Sequence, residues 1–206
     1  MQDANRRPIA VRSSSWAQRT AAALVRSRLT PNQISVCSVL FALAGAGALL
    51  ALPGRAGALL CALAILLRLL CNLFDGMVAV EGGKGTASGP LYNELPDRLA
   101  DSLFLVALGY AITMPWLGWL AALLAALTAY IRTLGGALGQ AQDFRGPMAK
   151  PQRMWLLGAA LVLSALLPAW RQPVLLASAA IIATGSALTC VTRTRAIATR
   201  LAGAGR

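Results

Sequence analysis

Long apolar stretches run through most of this 206-residue chain, each of about the twenty residues that a helix needs to cross a bilayer. Inside hydrocarbon, every backbone N–H and C=O must find a partner within the chain, and a helix provides those partners within one segment. We therefore predict an all-α polytopic membrane protein that forms a single domain over residues 1–206. Its six predicted transmembrane helices lie at about 32–52, 56–80, 92–113, 115–138, 151–169 and 173–192.

The composition argues against a soluble domain. Hydrophobic residues make up 57% of the chain, charged residues only 13%, and the mean hydropathy is +0.64. Soluble domains are nearer to one quarter charged. The net charge of +12 does not indicate a nucleic-acid partner, because the basic residues lie at the ends of apolar stretches, as in the positive-inside pattern. Histidine is absent, which removes the commonest general base and metal ligand.

The basic residues also predict the orientation of the chain. The N-terminal segment, the loops that hold Lys84 and Lys150, and the C-terminal end would share one side of the membrane, whereas only Arg55 and Arg171 fall on the other. The side with more basic residues is the cytoplasmic one. We predict a multi-pass protein of the bacterial inner membrane, with both termini and the acidic residues described below facing the cytoplasm.

Residues 1–28 form a predicted basic cytoplasmic arm that contains six arginines. From about Ser15, the pattern is typical of an amphipathic helix that lies on a membrane surface. A loosely ordered basic tail is the alternative. After this arm, Thr30 and Pro31 predict a helix start, with Thr30 as the N-cap and Pro31 at the first helical position.

Five of the seven acidic residues lie within one stretch, residues 72–101. Asp75 follows Asn72 by three positions at the end of an apolar stretch, and Asp97 precedes Asp101 by four positions at the start of the next. Each pair therefore lies on one helical face. If the two helices fold back as an antiparallel hairpin, the oxygens of both faces can meet. Hard oxygen ligands of this kind suit Mg2+, Mn2+ or Ca2+.

Two arginines fall inside apolar stretches, Arg68 in the second and Arg132 in the fourth. A charged side chain at membrane depth needs a partner, and the acidic stretch is the richest source of carboxylates. We therefore predict that both arginines reach it. A further basic cluster, within residues 143–154, can bind a phosphate by charge-assisted hydrogen bonds or can serve the topology alone.

The stretch NLFDGMVA, followed by Asp97 and Asp101, resembles the signature of the CDP-alcohol phosphatidyltransferases. That signature has two aspartates, Gly, Ala and Arg, and then Gly and two further aspartates. Asp75, Gly76 and Ala79 match it, as do the two later aspartates. Three positions depart from it, namely Asn72, Val80 and Asn93, which replace Asp, Arg and Gly.

The resemblance implies a six-span enzyme of phospholipid biosynthesis, commonly a homodimer. Such enzymes move a phosphatidyl or similar substituted phosphate group from a CDP-linked donor, here CDP-diacylglycerol, to an alcohol acceptor and release CMP. They depend on Mg2+ or Mn2+, and two metals are expected in the site. The implied metal ligands are Asn72, Asp75, Asp97, Asp101 and, as a substitute for the missing first aspartate, Glu94. The other implied residues are Asp101 as the catalytic base, Gly76, Ala79, Asn32 and Arg98 for the nucleotide, and Arg132, Lys150 and Arg153 for the acceptor or a phosphate.

The departures leave several interpretations open. An asparagine supplies an oxygen ligand without charge, so the chain is either an active enzyme with rearranged ligands or a degenerate protein that binds a nucleotide or lipid without turnover. A cation-coupled transporter is a third hypothesis, although the acids gather at one end of the helices rather than near the midplane. The basic cluster favours a phosphorylated acceptor such as glycerol phosphate or inositol phosphate, and serine stays open.

Overall fold

The computed structural model describes residues 10–204, and every regular element in that range is helical. Short 3-10 turns cover Ala10–Ser13 and Pro168–Trp170. The α-helices are α1 (Ser15–Arg26), α2 (Pro31–Ala51), α3 (Gly54–Val80), α4 (Gly89–Ala111), α5 (Pro115–Ala137), α6 (Lys150–Leu166) and α7 (Arg171–Ala204). The predicted all-α class is confirmed, and the first residues of the predicted basic arm lie outside the described range.

Within residues 10–204, four stretches of helix are long and apolar enough to cross a membrane, namely Pro31–Ala51, Gly54–Val80, Pro115–Ala137 and Pro168–Gly203. These helices fit a membrane protein. The two other predicted spans fall on α4 and α6. The first half of α4 carries several charged residues, and α6 is only 17 residues long. Six membrane crossings therefore remain a prediction.

The last helix is longer than predicted. The apolar pattern indicated a span of about 173–192, whereas α7 continues to Ala204. The prediction ended where Arg193 interrupts the apolar residues, and a charge does not break a helix. The residues between Arg193 and Gly203 include neither Pro nor Gly, so the helical hydrogen bonds continue past the apolar part. The bounds of the other predicted helices differ from the structure by only a few residues.

The start of α2 forms as predicted. The side chain of Thr30 accepts a hydrogen bond from the backbone N–H of Gln33 at 3.2 Å, and the side chain of Gln33 accepts one from the N–H of Thr30 at 2.9 Å. This reciprocal capping box satisfies two N–H groups that the helix itself leaves unpaired. Pro31 occupies the first turn, where it needs no N–H partner.

The helices pack around a core made largely of alanine and leucine. α3 and α4 pack against α2, α5 contacts α4 and α7, and α6 contacts α3 and α7. Small residues allow a close crossing of α4 and α5, because a Cβ added to Gly109 would lie 2.7 Å from the Cα of Gly118. The Gly- and Ser-containing loop joins the end of α3 to the start of α4.

The apolar side of α1 packs on α3. The buried residues in this contact are Ala17, Ala21, Leu73, Phe74 and Met77. The ring of Trp16 meets the ring of Phe74 edge to face, with centroids 6.2 Å apart and an interplanar angle of 88°. The helix expected from about Ser15 is therefore present and packs beside the acidic stretch. Its contact with a membrane surface remains a prediction.

Candidate active site

The end of α3 and the start of α4 are bridged by a lysine from a third helix. Lys150, the first residue of α6, donates hydrogen bonds from Nζ to Oδ1 of Asn72 and to Oδ2 of Asp97. Asn72 belongs to α3 and Asp97 to α4, so one ammonium group draws the two polar faces to a single point. Asp97 is 5% exposed, which places this contact inside the protein rather than on its surface.

Arg68 closes the inner side of the same cluster. Its Nη2 donates to Oδ1 of Asp101 at 2.6 Å and to Oδ1 of Asp97 at 3.3 Å, and the Arg68 side chain is fully buried. Nε and Nη1 of the same guanidinium have no hydrogen-bond partner among the described residues. The prediction that this arginine reaches the acidic stretch is confirmed.

Asp101 is held from both sides by guanidinium groups. Arg68 contacts Oδ1, and Nη2 of Arg153 donates to Oδ2 at 3.0 Å. Arg153 is itself positioned from α5 and the preceding loop, because its Nη1 donates to the Met148 carbonyl at 2.9 Å and to the Thr128 hydroxyl at 3.3 Å. The orientation of the Asp101 carboxylate is therefore set by two hydrogen-bonded ion pairs.

Glu94 lies at the more exposed edge of the cluster. Its Oε1 accepts from Nη2 of Arg132 at 2.5 Å, and its Oε2 lies 3.6 Å from Nη1 of Arg98. Arg132 also donates to Gln142 and stands over the ring of Phe144, 5.4 Å from its centroid. The predicted partnership of Arg132 with the acidic stretch is confirmed. Glu94 shares its helical face with Asp97, but both of its oxygens face arginines.

Asp75 differs from the other acids of the cluster because its close partner is neutral. Oδ2 of Asp75 lies 2.6 Å from the hydroxyl of Ser35, in the second turn of α2. Among the described residues, no Lys or Arg lies within ion-pair distance of Asp75. Asp75 as a whole residue is 5% exposed. Because its partner Ser35 belongs to α2, that helix forms a further side of the site.

The residues predicted to bind the nucleotide are spread along the outer end of the site. Asn32 donates to the hydroxyl of Thr86 at 3.3 Å and lines an open groove of about 380 Å³ between α2 and α4. Gly76 and Ala79 follow Asp75 along α3. Arg98 stands 3.6 Å from Oδ2 of Asp97. Only Arg98 of the four makes an ion pair with the acidic cluster.

The side chains predicted as metal ligands do not form a site for a divalent ion in this arrangement. Across residues 10–204, no group of three or more Asp, Glu, His or Cys side chains is placed to hold a metal. Asp97 and Asp101 are engaged by cationic side chains on both oxygens. An ion between Asn72 and Asp97 would require Lys150 to withdraw. The metal-ligand set of the sequence therefore stays a prediction.

Sequence reasoning reached two side chains in and around the site only in part, and it missed a third. Arg68 was indicated by its position within an apolar stretch and as one of three basic residues that could replace the signature arginine lost at Val80. Ser35 carried no signal, because a serine in the second turn of a helix is ordinary. The sequence indicated Arg193 only as one of the basic residues that set the membrane orientation. In the structure its Nη1 donates to the Thr128 carbonyl at 2.6 Å and its Nε to the Arg145 carbonyl at 2.8 Å. It ties α7 to α5 and to the loop before α6.

The basic loop before α6 contains a second, separate ion-pair group. Asp143 accepts hydrogen bonds from the Arg145 side chain at 2.7–3.0 Å and from Arg200 at 3.0 Å. The Arg145 side chain, chiefly through its hydrogen bonds, lowers the pKa of Asp143 to about 2. Arg145 therefore serves the loop, whereas Lys150 and Arg153 of the same basic cluster enter the site.

The helical fold is similar to solved structures of phosphatidylinositol phosphate synthase (PgsA1) of Mycobacterium tuberculosis. The structure with CDP-DAG bound is 23% identical with a TM-score of 0.74, covering 87% of this chain and 92% of that chain. The structure with manganese and citrate is 23% identical with a TM-score of 0.76, covering 88% of each chain. The apo structure is 25% identical with a TM-score of 0.68, covering 88% and 95%. No protein-family model and no curated protein matches the chain.

Proposed function

We propose that this chain is a membrane-bound CDP-alcohol phosphatidyltransferase of phospholipid biosynthesis. It would move a phosphatidyl group from CDP-diacylglycerol to an alcohol and release CMP. One observation carries the proposal. The ammonium group of Lys150 joins Asn72 of α3 to Asp97 of α4, and Arg68 of α3 pairs with Asp101 of α4, in a fold similar to that of a phosphatidylinositol phosphate synthase with CDP-DAG bound.

The cationic side chains of the site suit a diphosphate. Lys150 and Arg98 are each about one fifth exposed, at 22% and 23% of their side chains, so they face the side from which a donor enters. Ammonium and guanidinium groups bind phosphate oxygens by charge-assisted hydrogen bonds. We place the cytidine end of the donor along Asn32, Gly76 and Ala79, where the groove between α2 and α4 is open.

The transfer itself would proceed by attack of the acceptor hydroxyl on the β-phosphorus of the donor, with CMP as the leaving group. Asp101 would take the proton of that hydroxyl. Each Asp101 oxygen accepts one hydrogen bond from an arginine and keeps a second lone pair for the acceptor. Arg68 and Arg153 would hold the carboxylate still while the hydroxyl approaches, which is the positioning that general-base catalysis needs.

The acceptor in this proposal is a phosphorylated alcohol. Arg132, Lys150 and Arg153 come from α5 and α6 and converge on the acidic residues of α4. Guanidinium groups bind phosphate in a bidentate way, so a phosphate on the acceptor has partners on the side of the site opposite α2. A homodimer and a cytoplasmic site in a bacterial inner membrane belong to the same proposal.

A divalent ion, if bound at the predicted ligands, would supply charge neutralisation at the diphosphate and at the leaving group. One of the similar synthase structures holds manganese. Since the donor set of this chain does not fit an ion as it stands, the steps above depend only on the chain's own side chains.

The direct test is release of CMP from CDP-diacylglycerol by the purified protein in lipid nanodiscs, with a panel of alcohols that includes glycerol phosphate, inositol phosphate and serine. We expect acceptor-dependent CMP release, and a loss of about 100-fold or more in Asp101→Asn. Glu81→Gln is the matched control, because Glu81 is an exposed acid in the loop after α3 and makes no ion pair in the described part of the chain. CMP release that Asp101→Asn leaves intact would refute the assigned base.

A second candidate function is a protein that binds a CDP-linked donor without turnover. Both oxygens of Asp101 are already paired, and the site lacks the aspartate and arginine that Asn72 and Val80 replace. Binding of CDP-diacylglycerol without release of CMP for any alcohol would support this function. Cation flux in proteoliposomes would instead support a transporter.

A further inference from the structure

The position of Lys150 has a consequence for the metal chemistry of the site. Its ammonium group touches Asn72 and Asp97 at the place where the resemblance puts a divalent ion. We propose that Lys150 is a built-in replacement for that ion, so that the chain neutralises its acidic cluster with its own side chains and binds the diphosphate donor without Mg2+ or Mn2+. This inference rests on the proposed function for the identity of the donor.

The charge count of the cluster leaves no deficit for a metal to fill. Among the described residues, four carboxylates line it, those of Asp75, Glu94, Asp97 and Asp101. In the described part of the chain, five cations pair with Glu94, Asp97 or Asp101, namely Arg68, Arg98, Arg132, Lys150 and Arg153. Five minus four leaves one positive charge in excess. An aspartate at position 72 would make the cluster neutral. The asparagine at that position therefore preserves the positive excess to which Lys150 contributes.

The carboxylates of α4 face cationic side chains that oppose the binding of a divalent ion. Magnesium requires an octahedral shell of six oxygens, and proteins usually supply one or two carboxylates of it directly. Each oxygen of Asp97 and Asp101 lies beside a cationic side chain, whose charge repels a divalent ion even where a lone pair is left. Asp75 is the one remaining carboxylate of α3, and its Oδ2 is already beside the Ser35 hydroxyl.

Unpartnered N–H groups show that the cluster still has hydrogen-bond donors to offer an anion. Nε and Nη1 of Arg68 and Nε of Arg153 are buried and find no acceptor in the described part of the chain. Buried N–H groups of a guanidinium are satisfied by oxygen acceptors, not by a cation. The excess charge and the unpartnered donors thus favour the same ligand class, an anion such as the diphosphate of a CDP-linked donor.

The backbone around Lys150 is fixed by the contact of its loop with α7. The backbone N–H of Met148 donates to the Thr189 hydroxyl at 3.0 Å, and Met148 and Ala149 are buried. Gly146 has a φ of +122° and lies so close to Thr189 that a side chain would not fit. The start of α6, which carries Lys150, is therefore fixed in position. Its ammonium group contacts the cluster instead of extending into solvent.

The experiment measures Mn2+ binding directly, by electron paramagnetic resonance of free Mn2+ in titrations of the nanodisc-embedded protein, with and without CDP. We expect no bound Mn2+ for the wild-type chain at millimolar Mn2+, and CDP binding that EDTA leaves unchanged. In the double variant Asn72→Asp/Lys150→Met, the apparent Mn2+ affinity should rise by about tenfold or more, because a cation is removed and a carboxylate is gained at contact distance.

Lys84→Met is the matched control, since Lys84 is the other lysine of the chain and donates to the Ser27 carbonyl, away from the cluster. It should leave Mn2+ binding absent. Tight binding of Mn2+ by the wild-type chain would overturn the inference even if the double variant failed to fold, because that measurement needs no variant.

The same samples separate the inference from the proposed function. CMP release that survives EDTA supports both. CMP release that EDTA abolishes, with Mn2+ bound to the wild type, refutes the built-in cation and leaves the transferase standing. Absence of both CMP release and Mn2+ binding refutes the transferase and leaves the built-in cation standing.

Discussion

Arg68→Met removes the cation on which the interior of the cluster depends. The side chain is fully buried, and its Nη2 makes one ion pair of 2.6 Å with Asp101 and another of 3.3 Å with Asp97. Breaking a buried ion pair by removing one partner costs about 3–5 kcal/mol, since the other charge stays buried. Asp101 keeps Arg153 and Asp97 keeps Lys150, so we expect the lower end of that range, about 3 kcal/mol.

The assay is equilibrium unfolding in mixed micelles, with SDS as the denaturant and far-ultraviolet circular dichroism as the signal. Arg55→Met is the matched control, because Arg55 is an exposed arginine near the other end of the same helix. An exposed substitution of this kind should change the free energy of unfolding by no more than about 0.5 kcal/mol. The difference between the two variants isolates the contribution of the buried ion pairs.

A double variant sharpens the result. In Arg68→Met/Asp101→Asn, no carboxylate at position 101 is left without its cation. The losses of unfolding free energy in the two single variants should therefore not add, and the coupling energy should be about 1–3 kcal/mol. The reasoning would be refuted if Arg68→Met were as stable as Arg55→Met, or if the losses in the double variant were additive. Either result would mean that Arg68 does not stabilise the cluster.

Three further predictions concern the periphery of the site. Arg145 lowers the pKa of Asp143 from 3.8 to about 2. The ionised Asp143 therefore stabilises the fold fully above about pH 4, and this stabilisation is lost as the pH falls through about 2. Asp143→Asn should flatten the acid limb of a profile of unfolding free energy against pH. Trp16→Ala should cost about 1 kcal/mol through the lost contact with Phe74, measured by the same unfolding assay, and trypsin should then cut α1 faster. In Lys84→Cys, the new thiol should react with a membrane-impermeant maleimide only after the cells are permeabilised. Labelling of this thiol in intact cells would contradict the predicted topology.

The energetics of the cluster favour a function over a purely structural role. Replacing buried ion pairs by packed hydrophobic residues of similar volume is often neutral or stabilising. A bundle that needed only stability would fill the space between α3, α4 and α6 with leucine and alanine, as the rest of its core does. The structure instead buries Asp97, Asp101, Arg68 and Arg153 there, each less than 10% exposed.

Much of the fold could be predicted from the sequence because its signals are local. Hydropathy over about twenty residues located the helices, and Thr30 with Pro31 indicated the start of α2 through a motif confined to one turn. The spacing of Asp97 and Asp101 placed both on one face for the same reason. Hydropathy failed at the end of α7, because it reports the environment of a segment and not the continuity of its hydrogen bonds.

Only the tertiary structure decided which polar side chains meet in the site. Lys150 and Asn72 are 78 positions apart, and Ser35 and Asp75 are 40 apart, so their contacts depend on how α6 and α2 pack against α3. The sequence identified the acids and the basic residues that could balance them, since a buried charge needs a partner of opposite sign. It could not pair Lys150 with Asn72 and Asp97, because side-chain direction across three helices is set by packing and is not encoded in any one stretch.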